Sequence, residues 1–226
     1  MPTVSTRTLS LLSQKDGVGT TTLATHLAVA LGGPRRVVLV DTDPQRSATA
    51  WARAREARSP ELVEATAAGI VAALRAIRAT GPGLVVVDSM PSVQSDISSI
   101  ARTSDFVLIP CRPSILDLRA VGGTVKLVKE AHVPAAIVLN AVPPPRGFGE
   151  AAKTAESRKA LTQYGLPVLP VTIGYRAVLA DALAAGLAVE EFEPTSRAAW
   201  EIRNLARIVE NKLWQNVAGP ALPRSI

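Results

Sequence analysis

Two four-residue apolar runs, Val37-Val38-Leu39-Val40 and Leu84-Val85-Val86-Val87, constrain the fold of this chain more than any other feature. Neither alternates with polar residues, so each, as a strand, presents apolar side chains to both faces of its sheet. Strands covered on both faces are the habit of parallel sheets flanked by helices. Shorter β-branched runs and longer helical stretches alternate around them. The pattern predicts strands over 8–13, 36–40, 84–88, 106–110, 135–140 and 168–173. It predicts helices over 21–31, 48–58, 97–102, 115–131, 150–164, 177–185 and 196–214, and takes 60–79 as a helix with a break in it. The expected class is α/β: a single doubly wound, mostly parallel sheet flanked by helices. No repeat or linker divides the chain, so 1–217 is expected to form one domain. The tail at 218–226, with two prolines, is expected to fray. Pro143-Pro144-Pro145-Arg146-Gly147 is the strongest loop signal.

Composition narrows the function classes. With 47% hydrophobic and 19% charged residues in 226, the chain can bury a sizeable core, which excludes disorder as its main state. A single cysteine, Cys111, excludes a disulfide framework and a cysteine-based zinc site. Two histidines, His26 and His132, argue against a histidine-rich metal site, and His26 is expected on a buried helix face. No apolar run reaches the roughly 18 residues of a membrane span, and no apolar leader stands at the start. A cytoplasmic protein is expected. The net charge of +6 permits nucleic-acid binding without establishing it. Residues 1–113 hold 12 basic and 9 acidic side chains and residues 114–226 hold 13 and 10, so no basic arm stands out.

In a doubly wound sheet the ligand lies beyond the carboxyl ends of the strands. Three of those ends are polar here. The first continues into Lys15-Asp16-Gly17-Val18-Gly19-Thr20-Thr21-Thr22 and a helix. Glycines there let backbone amides turn toward a phosphate, and the helix N-terminus adds partial positive charge. Thr21 places a hydroxyl where phosphate loops hold Mg²⁺. The second end is Asp41-Thr42-Asp43-Pro44-Gln45, and the third is Asp88. A glycine turn or a strand-end carboxylate is bland alone. Loop, hydroxyl and two strand-end aspartates in this chain order point to a nucleotide-phosphate site.

The ordinary phosphate loop, Gly-x-x-x-x-Gly-Lys-Ser/Thr, does not fit, because Gln14 and Thr20 occupy its first glycine and its lysine. The deviant Walker A loop, Lys-Gly-Gly-x-Gly-Lys-Thr-Thr, is matched at Lys15, Gly17, Gly19, Thr21 and Thr22. With Asp-Thr-Asp-Pro-Gln at 41–45, Val-Val-Val-Asp-Ser-Met-Pro-Ser at 85–92, and Leu108-Ile109-Pro110 followed by Pro113 and Asp117, the chain resembles the ParA/MinD family of partition ATPases. The likeness is strongest to the short plasmid and chromosome ParA proteins and spans nearly the whole chain. The resemblance implies a P-loop NTPase fold and an ATP/ADP- and Mg²⁺-dependent ATPase that closes a sandwich homodimer. By it, Lys15 is the signature lysine that reaches the partner's phosphates. Thr21 and, through water, Asp88 serve Mg²⁺. Val18, Thr20, Thr22 and the amides of 17–22 hold phosphate oxygens. Asp43 positions or activates the attacking water, Asp41 is a loop or Mg²⁺-network carboxylate, and Asn140 reads the adenine. Implied partners are non-specific DNA and a small ParB-like centromere- or cargo-binding protein, with a nucleoid-associated location. Positioning of another cargo carries the same motifs, and a hydrolysis-deficient nucleotide- or DNA-binding module is the alternative class.

Two positions depart from the family pattern. Asp16 stands at a glycine and Thr20 at the P-loop lysine. A lysine contact to phosphate oxygens contributes roughly 1.5–3 kcal/mol. A carboxylate about 7 Å from a phosphate charge adds repulsion of about 2 kcal/mol at an effective dielectric of about 20. ATP binding and turnover are therefore expected to be weak. For DNA, the resemblance points to Arg176 and Arg197, with Arg203 and Arg207 one turn apart as an extension. Operator-specific binding is not expected, since no helix-turn-helix precedes the first strand. The tail at 216–226 has no apolar stripe, so no membrane attachment is expected. Trp200, Ile202, Leu205, Val209 and Leu213 recur at helical spacing and are expected in the core.

Overall fold

The computed structural model describes residues 5–89, 94–144 and 150–214. Its strands are β1 (Arg7–Leu11), β2 (Val37–Asp41), β3 (Glu61–Glu64), β4 (Leu84–Asp88), β5 (Phe106–Cys111), β6 (Ala135–Val142) and β7 (Val168–Gly174). They form one seven-stranded sheet in the order β3-β2-β4-β1-β5-β6-β7. Every pairing is parallel. The connecting helices are α1 (Thr20–Ala30), α2 (Ser47–Ala54), α3 (Ile70–Ala79), α4 (Gln94–Arg102), α5 (Ile115–Glu130), α6 (Ala152–Leu161), α7 (Ala177–Ala184), α8 (Val189–Phe192) and α9 (Arg197–Trp214). None of the described helices is long and apolar enough to cross a membrane.

The two apolar runs become β2 and β4, and all ten of their residues are buried. Their period-2 geometry sends Val37, Leu39, Leu84 and Val86 into the core beneath α1, α2, α7, α8 and α9. Val38, Val40, Val85 and Val87 enter the opposite core, beneath α3 to α6. Each such side chain, fully buried, stabilises the fold by roughly 1.5–3 kcal/mol before entropy is counted. Two filled cores hold the sheet rigid, and every strand delivers its carboxyl end to the same edge.

Four expectations change. Residues 61–64 form edge strand β3 rather than helix, pairing with β2 from Val38↔Glu61 to Asp41↔Glu64. A four-residue strand with only two apolar positions carries too little pattern to outvote the helical stretch after it. The Arg36–Glu61 ion pair at 2.7 Å fastens it. The helix expected over 48–58 stops at Ala54, because Arg55 turns extended. Its nearly buried side chain pairs with Glu191 at 2.7 Å and donates to the Gly186 carbonyl. The single turn α8 is too short to register in the sequence pattern. Trp200 is 56% exposed, while Ile202, Leu205, Val209 and Leu213 are buried. The buried stripe of α9 runs through Ala199, Ile202, Ala206, Val209 and Leu213 in steps of three and four, and Trp200 lies one position off it. The readings for 145–147 and for the tail at 218–226 fall outside the described residues.

His26 ties α1 to the C-terminal helices. It is fully buried, its Nδ1 accepts the Val189 N–H at 3.1 Å, and its Nε2 donates to the Leu179 carbonyl at 3.3 Å. That pair of bonds requires the neutral ring. Burial lowers its pKa from 6.5 to about 4, against opposing pulls from the Leu179 carbonyl and Glu191. The unfolded chain therefore takes up a proton near pH 6.5 that the fold refuses, so stability is complete above that pH and falls as pH drops toward 4. Chemical denaturation should show about 2 kcal/mol less stability at pH 5 than at pH 7.5, and His26→Gln should flatten that difference. An unchanged pH dependence in the variant would remove His26 as its source.

Candidate functional site

The site assembles on one rung of the sheet. Leu11 of β1 and Asp41 of β2 both stand in register with Asp88 of β4. The chain leaves β1 into a loop anchored at several points. The Ser13 hydroxyl lies 3.0 Å from both the N–H and the carbonyl of Lys15, and the Gln14 N–H donates to Thr124 Oγ1 on α5 at 3.0 Å. Asn140 Nδ2 donates to the Val18 carbonyl at 2.7 Å. Gly17 and Gly19 adopt left-handed φ values of 70° and 91°. At Gly19 a Cβ would stand 2.3 Å from Asn140 Nδ2, so the close strand–loop approach demands glycine as much as the backbone does. Gly19 caps α1 without a side-chain hydrogen bond. The amides opening α1 at Thr20, Thr21 and Thr22 thus face outward without a side-chain cap, as an anion site requires.

Asp88 is the buried carboxylate of the site that the described residues leave unsatisfied. It is 1% exposed, and neither carboxylate oxygen has a hydrogen-bond partner among the described residues. Burial raises its pKa to about 7. The Thr21 hydroxyl is near enough to pull it down without reaching hydrogen-bond geometry, and the Asp41 and Asp43 charges push it further up. A buried carboxylate without donors is costly in the free protein and is what a cation site needs.

Asp41 is hydrogen-bonded within its own loop and to the first turn of α2. Its Oδ2 accepts the Thr49 N–H and hydroxyl at 2.9 Å each, and its Oδ1 accepts the Asp43 N–H at 3.0 Å. Asp43 stands half-buried, accepts the Gln45 N–H at 2.8 Å, and borders a cavity of about 510 Å³ beside Pro44, Arg46 and Thr66. Lys15 is exposed at the loop's outer side. Asp16 points its Oδ1 at the Gly17 N–H, 2.7 Å away, and so occupies an amide of the loop with a carboxylate. Asn140 lies inside β6 rather than at its end, and its side chain holds the loop through Val18. Residues 90–92 of the motif after β4 lie outside the described residues.

A second cluster lines a groove of about 700 Å³ between the carboxyl ends of β6 and β7 and helix α9. Glu201, 5% exposed, organises it. It accepts the Gly174 N–H at 3.0 Å, Arg176 Nε and Nη2 at 3.2 and 2.8 Å, and Arg197 Nε at 3.3 Å. One carboxylate thus faces two guanidinium groups, while Glu150, on the same groove, is paired with Arg158 at 2.8 Å. Arg203 is not part of this groove, since it donates to the Pro194 carbonyl at 2.9 Å. Arg207 lines it instead, with the exposed Trp200. Arg203 and Arg207 differ by four residues, so spacing alone did not say which one meets the groove. Only Arg197 of Glu201's partners is local, four residues before it on α9, while Arg176 and Gly174 lie 25 and 27 residues away along the chain.

An anion-ready glycine loop, a hydroxyl at the head of α1 and an orphaned carboxylate define a nucleotide-binding P-loop domain. The profile of the CobQ/CobB/MinD/ParA nucleotide binding domain family matches residues 9–189, and the chain belongs to that family. It is 36% identical over 170 residues to the maintenance of carboxysome distribution protein A of Gloeobacter kilaueensis, covering 74% of this chain and 76% of that protein. It is 30% identical over 242 residues to the chromosome-partitioning ATPase Soj of Thermus thermophilus, covering 90% and 95%. The fold matches the septum site-determining protein MinD of Pyrococcus horikoshii complexed with Mg-ADP, with a TM-score of 0.72 at 17% identity over 91% of this chain and 96% of that one.

Asp88→Asn separates the two consequences of the orphaned carboxylate. The variant should gain stability at pH 8, on the order of 1–3 kcal/mol, because a buried charge is removed. Calorimetry should find its nucleotide binding no longer dependent on Mg²⁺. Unchanged Mg²⁺ dependence would remove Asp88 from the site.

Proposed function

We propose that this chain is a ParA-type ATPase that positions a cargo on DNA through an ATP-dependent homodimer. The observation that carries the reading is Asp88, buried and without donors among the described residues, beside Thr21 at the head of α1, where no side chain caps the helix. These residues fit a Mg²⁺–nucleotide. Thr21 and, through water, Asp88 would hold the ion, which supplies neutralising charge at the β and γ oxygens when bound. The amides of 17–22 and the Thr22 hydroxyl hold phosphate oxygens, Asp43 orients the attacking water, and Lys15 reaches the phosphates of the other protomer. Asn140 reads the adenine, its side chain holding the Val18 carbonyl in the free protein.

Likeness to both a carboxysome distribution protein and a chromosome-partitioning ATPase supports positioning as the shared activity. A small cargo- or centromere-binding protein would stimulate hydrolysis and release the dimer. The groove of Arg176, Arg197 and Arg207 supports non-specific attachment to DNA, because these three guanidinium groups outnumber its two carboxylates, Glu201 and Glu150, and Glu150 is paired with Arg158 at 2.8 Å. Arg176→Ala or Arg197→Ala should weaken binding to any duplex alike and lower the slope of log affinity against log salt by roughly one per lost contact. Nucleotide affinity should hold. Sequence-selective loss, or none, would leave these arginines as Glu201 partners only.

Thr20 and Asp16 favour a second reading, in which the protein binds nucleotide and DNA with little turnover. Restoring the family residues tests the cost of both. Asp16→Gly with Thr20→Lys should raise ATP affinity and DNA-stimulated phosphate release by at least ~10²-fold. A gain in affinity without a gain in turnover supports the binding-module reading. Phosphate release by the unaltered chain, with DNA and its partner, supports the ATPase.

A further inference from the structure

We propose that Arg112 supplies the phosphate-facing positive charge that Thr20 lacks, as a positioning residue for the nucleotide. This rests on the nucleotide reading of the β1–α1 loop. That loop is poor in positive charge for its task. Asp16 stands within it, Asp41, Asp43 and Asp88 converge on it, and Thr20 gives a hydroxyl in place of an ammonium. An arriving polyphosphate adds further negative charge. Lys15, at the outer side of the loop, is the one cation that the loop itself carries.

Two arginines lie beyond the carboxyl edge of nearby strands, Arg46 at the start of α2 and Arg112 directly after β5. Arg46 is committed to Glu64, 3.3 Å away on the β3 side. Arg112 makes no ion pair among the described residues. It follows the last residue of β5, and β5 lies beside β1 with the Leu12 N–H donating to the Leu108 carbonyl at 3.2 Å. Its backbone is fixed on both sides by the buried Cys111 and Pro113, and Ser114 then caps α5 through the Asp117 N–H at 3.2 Å. From this mount the exposed guanidinium reaches the loop, where Nη1 donates to the Gly17 carbonyl at 3.4 Å. That contact uses one of five N–H donors. The remaining fork is permanently charged and suited to phosphate oxygens. A carbonyl is a weak partner that a phosphate displaces or shares.

Four full-length proteins test this: unaltered, Arg112→Ala, Thr20→Lys and the double variant, each titrated with Mg·ADP and a non-hydrolysable ATP analogue by calorimetry. Arg112→Ala should weaken binding by about 10- to 100-fold, the loss of one charge-assisted contact. In the Thr20→Lys background the same change should cost less than about threefold, because the lysine has resumed the role. Arg112→Lys should retain most of the affinity, and thermal melts followed by circular dichroism confirm that each variant folds. Should Arg112→Ala fail to fold, Arg112→Gln replaces it in both backgrounds. Equal loss in both backgrounds, or no loss in either, overturns the proposal. If Thr20→Lys binds and the unaltered chain does not, Arg112 does not stand in and only this proposal fails. If no variant binds nucleotide, the phosphate-site reading fails with it.

Discussion

The register of β4 between β2 and β1 is the constraint on which the rest depends. Asp88 pairs in register with Asp41 on one side and Leu11 on the other. The glycine loop leaves the sheet one residue beyond Leu11, so that single rung brings loop, hydroxyl and carboxylates within one site. The rung is held by valines and leucines filling two cores, and parallel pairing ensures that all carboxyl ends meet at one edge. A slip of one residue in β4 would exchange Val86 for Val87 between the cores and turn Asp88 away from Thr21. Apolar packing therefore sets the geometry of a polar site that is itself unfavourable in the free protein.

The number of donors separates the buried carboxylates into two kinds. Asp41 is equally buried, yet three donors satisfy it, and it secures the turn that carries Asp43. Asp88 has the same burial and no donors among the described residues. Glu201 shows the structural pattern again, a buried carboxylate surrounded by an amide and two guanidinium groups. Its effect is to hold Arg176 and Arg197 facing one groove. Asp16 belongs to neither kind: it is exposed, and its nearest donor is the Gly17 amide that the phosphate loop would otherwise offer to a ligand.

What the sequence disclosed followed from locality. The Leu84–Asp88 strand is a continuous run, so its pattern needed no tertiary help, and the glycine loop signals itself within eight residues. Strand β3 was hidden because its stability comes from pairing with β2 and from Arg36, 25 residues away. Arg112 meets Gly17 across 95 residues, and Asn140 meets Val18 across 122. No window along the chain contains both partners of either contact. Arg112 did carry one general signal, a charged side chain directly after a buried strand at the ligand edge of the sheet. Trp200 misled because the α9 stripe is defined by steps of three and four, and an aromatic beside the stripe mimics a member of it.

A crystal structure of the full chain with Mg²⁺ and a non-hydrolysable ATP analogue tests the site most directly. Phosphate oxygens are expected on the amides of 17–22, with the ion between Thr21 and the water shell of Asp88. An analogue bound elsewhere, with the β1–α1 loop and Asp88 as they stand in the free protein, would contradict it.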